Sequence, residues 1–96
     1  MRYRLSPRAA DDLKAIIDYI SDRNPSAAER LVDRLEERWR LLVEQPRSGA
    51  PRKDLGLDSR NVVVGEYLSI YRIDGNEIEI VRVLHGRRDI SSNDLL

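Results

Sequence analysis

Between Tyr67 and Leu84 the chain carries two apolar, largely β-branched runs on either side of one polar turn, Asp74-Gly75-Asn76. Residues that tolerate positive φ, flanked by Ile, Val and Tyr, predict a β-hairpin. The central antiparallel pair is therefore placed at Tyr67–Ile73 and Glu77–Leu84. Strict alternation along the second run puts Arg82 on the face of Ile78, Ile80 and Leu84. In the first run Arg72 shares a face with Leu68 and Ile70. An arginine at the end of an apolar row belongs at the sheet's rim or against an acid, and Glu66, Glu79 and Asp89 are the candidate acids.

Upstream the period changes. Arg2-Tyr3-Arg4-Leu5 alternates as a short strand does, with Tyr3 and Leu5 turned to the core. Ser6-Pro7 then signals a helix start, because serine can accept from the free N–H groups and proline suits the first turn. Leu13, Ile16, Ile17 and Ile20 recur at helical spacing and predict a helix from Pro7 to about Asp22, with Asp11 and Asp12 near its positive end. Asn24-Pro25 repeats the signal. A second helix is expected from Pro25 to about Glu44, with Ala28, Leu31, Val32, Leu35, Trp39 and Leu42 as its stripe and a charged opposite face.

Residues 45–53 read as a loop carrying Arg47, Arg52 and Lys53, with Leu55-Gly56-Leu57 as an anchor to the core. Arg60–Val64 reads as a strand turning at Gly65-Glu66 into the hairpin. The order β-α-α-β-β-β predicts one α+β domain spanning 1–96, in which an N-terminal strand and a helical hairpin pack on a mostly antiparallel curved sheet. Ser91–Leu96 is expected to be a loose extension.

Composition narrows the function classes. Charged residues make up 35% of the chain, yet 17 basic and 17 acidic residues balance to zero net charge. Attraction of the whole molecule to nucleic acid or an anionic membrane is therefore not expected. There is no cysteine, so disulfides and thiolate chemistry are excluded. No apolar run suggests a signal peptide or a membrane span, and a cytoplasmic location is the expectation. With one histidine and no Gly-rich phosphate loop, neither a metal site nor a nucleotide cofactor is expected. One reaction class remains open: metal-free RNA cleavage through the 2′-hydroxyl, which needs a general base, a general acid and cations on the phosphate. His85, Arg82 and Arg60 are its candidates. His85 could equally be a strand-end histidine bonded to backbone, and Arg87-Arg88 a solvated pair.

The succession Leu-Ser-Pro-x-Ala-x-x-Asp-Leu at 5–13, Pro-Arg-x-Gly at 46–49, Tyr67–Ile73 and Val-Leu-His-Gly-Arg-Arg-Asp at 83–89 resembles the RelE/ParE toxin superfamily of type II toxin–antitoxin modules. The two long helices, with Trp39 on the second, resemble its ParE-like branch. That resemblance implies the fold read above and inhibition of DNA gyrase by protein binding, causing growth arrest, with no catalytic site assigned. The alternative it implies is a ribosome-dependent messenger-RNA endoribonuclease of the RelE type, the one case in which direct contact with nucleic acid is expected. The chain departs from that pattern in having only Lys14 and Lys53 as lysines, and Gly86 where some ribosome-dependent members place a tyrosine. Either way the resemblance implies a cognate, ParD-like antitoxin. Arg60, Arg72, Arg82, His85, Arg87 and Arg88 are the residues expected to meet the antitoxin or the target, beside an apolar groove between helices and sheet.

Overall fold

The computed structural model describes residues 1–56 and 58–96. Strand β1 (Arg2–Leu5) leads into helices α1 (Pro7–Ser21) and α2 (Pro25–Glu44), followed by β2 (Ala50–Pro51), β3 (Arg60–Val64), β4 (Tyr67–Asp74) and β5 (Glu77–His85). Both helix starts form as the sequence indicates. Ser6 Oγ accepts from Ala9 N–H at 3.1 Å and Asn24 Oδ1 from Ala27 N–H at 3.2 Å, each cap followed by proline.

The five strands form one sheet in the order β1-β5-β4-β3-β2. All pairings are antiparallel except β1 on β5, which is parallel. Both helices cover one face. There Leu31, Leu35, Trp39 and Leu42 of α2 meet Val62, Val64, Tyr71, Ile78, Ile80 and Val83. Trp39 Nε1–H donates to Ser69 Oγ at 2.9 Å, so the largest core side chain is satisfied where it is buried. Tyr3 and Leu5 pack against this core as expected. On the other face a smaller cluster, Leu55, Ile70 and Leu84, is covered by Ile90 and Leu95.

Three readings of the sequence are corrected. The segment at 45–53, read as loop throughout, contributes β2, an edge strand that Pro51 keeps short. The chain's end is not loose: Ser92–Leu95 forms a 3-10 turn with a capping box from Ser91 and Asp94, and Leu95 is packed on the second cluster. The alternation of β5 also breaks. Ile70 opposes Arg82 while Tyr71 opposes Ile80, leaving Val81 unmatched in a β-bulge. Ile78 and Ile80 therefore face the helices, whereas Arg82 and Leu84 face the opposite side with Ile70. The bulge arises where β5 runs past the end of β1 and its edge lacks a strand partner. Side chains close that edge instead: Ser6 Oγ–H donates to Val81 O at 2.7 Å, and Asp12 Oδ2 accepts from Val83 N–H at 3.0 Å. The expected anchor at Leu55 is buried, while its companion Leu57 lies outside the described residues.

Candidate partner-binding surfaces

The helix α1 is unevenly covered. Only Ala9 is fully buried, and Leu13, Ile16 and Ile20 are half-buried against the core. Ile16, Ala15 and the 60% exposed Tyr19 line an open groove of about 530 Å³ between α1 and the ends of β4 and β5. Its far wall is Glu66, Tyr67, Leu84, His85 and Arg88. This is the apolar groove between helix and sheet that the sequence suggested. The Tyr67 ring stands edge-on to the His85 imidazole, with centroids 5.4 Å apart, and burial pushes the Tyr67 phenol above its ordinary value. His85 Nδ1 accepts from Arg87 N–H at 3.1 Å, and its Nε2 lies 3.9 Å from Glu66 Oε2. The histidine is thus tied to backbone, as one reading of the sequence allowed.

The six residues singled out from sequence do not converge. His85 and Arg88 sit at the groove, and Arg88 is also paired with Asp94. Arg87 is exposed in the adjoining turn. Arg72 lies on the sheet face away from the helices and is paired with Glu79 at 2.7 Å, one of the three acids proposed for it. Arg82, only 6% exposed, takes an acid that local spacing did not suggest: Asp12, bound through Nε at 2.7 Å and Nη2 at 2.9 Å. The Asp12 carboxylate raises the guanidinium's pKa further, against the opposing effect of burial. Its Nη1 donates to Asp94 O, so one side chain joins α1, β5 and the C-terminal turn. Arg82 is committed inside the molecule.

Arg60 lies at the other end of the sheet. Its Nη1 donates to Arg47 O at 3.2 Å and Gly49 O at 2.9 Å. It lines a cleft of about 650 Å³ together with Arg47, Lys53, Ser59, Ile73 and Gly75. Sequence reasoning noted the charge of this loop but missed the cleft, because only the fold brings residues 47–60 against the hairpin turn at 74–76. Among the described residues no group of His, Asp and Glu is arranged to hold a metal ion.

The fold is an α+β sheet with a helical hairpin on one face, and both grooves open to solvent. Residues 3–90 match the family "ParE toxin of type II toxin-antitoxin system, parDE", and the chain belongs to that family. It is 33% identical over 94 residues to Toxin ParE1 of Mycobacterium tuberculosis, covering 96% of both chains. It is 37% identical over 81 residues to Toxin RelE2 of Caulobacter vibrioides, covering 84% of this chain and 90% of that one. Among solved structures, the chromosomal ParDE TA system from P. aeruginosa superposes with a TM-score of 0.75 at 26% identity, covering 88% of this chain and 95% of that one.

Proposed function

We propose that this toxin arrests growth by inhibiting DNA gyrase through protein contact, and that a cognate ParD-like antitoxin neutralises it in the cytoplasm. The observation that supports the reading is the dispersal of the groups a metal-free ribonuclease would have to focus on one phosphate. His85 pairs with Tyr67 in the β4–β5 register and Arg60 with Tyr71 across β3–β4. The two are therefore set apart by four residues, about 13 Å, along β4. Arg82 points to the other face and is already neutralised by Asp12. A general base, a general acid and a phosphate clamp must lie within hydrogen-bond reach of one substrate, and these three side chains do not. The antitoxin's binding segment would lay apolar side chains against Ile16 and Tyr19 and carboxylates near Arg87 and Arg88.

The test is purified gyrase with relaxed plasmid, beside primer extension on transcripts from cells expressing the toxin. Loss of supercoiling with intact transcripts, retained in His85→Ala, is the expected result. The similarity to a toxin named RelE keeps a second reading, ribosome-dependent cleavage of messenger RNA. Transcripts cut within codons, together with toxicity abolished in His85→Ala, would establish it and overturn the first.

A further inference from the structure

Seven of the 17 cations have a carboxylate within salt-bridge distance among the described residues; of the ten others, seven lie along the helical hairpin or in the turn after β5, and three share one cleft. On the sheet face away from the helices, Arg2, Arg4 and Arg72 are matched by Asp74, Glu77 and Glu79. Arg52 is matched by Asp54, Arg82 by Asp12 and Arg88 by Asp94. Arg47, Lys53 and Arg60 have no carboxylate within salt-bridge distance among the described residues, and all three line the same cleft at the end of the sheet. Asp58 is the one acid in its lining.

One of the three is held in place by its own side chain. Both recorded bonds of Arg60 leave from Nη1, to the carbonyls of Arg47 and Gly49. Nε and Nη2 remain as a planar pair of donors suited to bidentate binding of a carboxylate. Arg52 is clamped to Asp54 through Nε at 3.0 Å and Nη2 at 2.9 Å, and Lys53 stands exposed between those two residues. Pro51 and Ile73 add apolar wall, and β2 is the outermost strand beside them.

We infer that this cleft binds a carboxylate-rich, extended segment of a protein partner, with Arg60 as the bidentate anchor and Arg47 and Lys53 as flanking charges. The antitoxin is the partner that would supply it, and to that extent the inference rests on the function proposed above. A nucleic-acid strand fits less well: the cleft has no aromatic side chain for a base to stack on, Asp58 would repel the backbone, and the chain as a whole is neutral. The cleft lies at the end of the sheet away from His85 and the α1 groove, so it constitutes a second contact surface.

The experiment titrates the full-length toxin with two probes while recording its backbone amide spectrum. One probe is a hexapeptide alternating Glu and Leu; the other is a single-stranded oligonucleotide of similar net charge. The inference expects the peptide to move the amides of Gly56, Ser59 and Gly75, and Arg60→Gln to weaken peptide binding about tenfold, the loss of one charge-assisted pair. Because Arg60 also ties down the loop, Lys53→Gln serves as the variant without an internal contact, with an expected loss of about threefold. Arg72→Gln, whose charge is already matched, should change nothing. Peptide binding that is indifferent to both cleft variants, or an oligonucleotide that shifts the same amides at lower concentration, overturns the assignment. This readout does not involve gyrase or the antitoxin, so failure of the cleft and failure of the proposed function are separately visible.

Discussion

At the scale of single residues, Asp12 has the most to do. Its carboxylate meets two donors of Arg82 and the N–H of Val83, with side chains 15% and 7% exposed for the acid and the base. Removing one member of a buried pair strands the other, at a cost of about 3–5 kcal/mol. Asp12→Ala should therefore lower the urea midpoint severely, whereas Arg4→Ala, in an exposed network, should barely move it. Adding Arg82→Met to Asp12→Ala should recover only part of the loss, because Val83 N–H still lacks its acceptor. Asp94 carries the pH dependence. The Ser91 N–H holds its carboxyl below the usual carboxylate value, with Arg88, Arg82 and Arg8 adding to the effect. A depressed native pKa stabilises the docked tail at pH values above the unfolded carboxylate's pKa. That contribution is lost as pH falls through the lower, native one. Amide exchange at Asp94 and Leu95 should accelerate in that acid range, and Asp94→Asn should make exchange fast and nearly pH-independent once corrected for intrinsic rates.

At the scale of elements, the helices and the hairpin were legible because caps, prolines and apolar period are local signals. Pro7–Ser21 and Pro25–Glu44 agree with the sequence reading to within a residue. The bulge at Val81 was not legible. Ile78, Ile80, Arg82 and Leu84 alternate perfectly in sequence, and what interrupts the pairing is the end of β1 together with two side chains from around the start of α1. Deleting Val81 would remove the bulge yet leave Arg82 and Leu84 on their present face, because Ile80 would then be followed directly by Arg82 in ordinary alternation. The expected outcome is a cooperative transition at a lower urea midpoint, because the deletion takes away the carbonyl that accepts from Ser6 Oγ–H. Gly49 shows the same dependence on distant chain. A Cβ there would stand 2.5 Å from the Tyr71 ring and 2.9 Å from Asn61 O, and Gly49 N–H donates to Tyr71 Oη at 3.0 Å. Gly49→Ala should destabilise by about 2 kcal/mol, read from chemical denaturation.

At the scale of the molecule, zero net charge conceals an uneven division of labour between the two ends of the sheet. One end offers Tyr19, Ile16 and Tyr67 in an apolar groove with His85 and Arg88 at its wall; the other offers Arg47, Lys53 and Arg60 with one opposing carboxylate. Sequence reasoning grouped Arg60 with His85 and Arg88 because neighbouring strands can present their residues on one surface, but strand register and chain direction send them to different ends. An antitoxin segment that spans this molecule, 37 Å in its longest dimension, would need both surfaces at once. Tyr19→Ala and Lys53→Gln touch separate contacts, so their costs in antitoxin affinity should add to within about 0.5 kcal/mol in the double variant. The two should differ in salt response. Added salt should narrow the gap between Lys53→Gln and the parent, because the lost contact is ionic and exposed, and should leave the Tyr19→Ala gap unchanged, because that contact is apolar. If either variant binds antitoxin as the parent does, the segment reaches only one end, and the charge at the other end must be explained by a different partner.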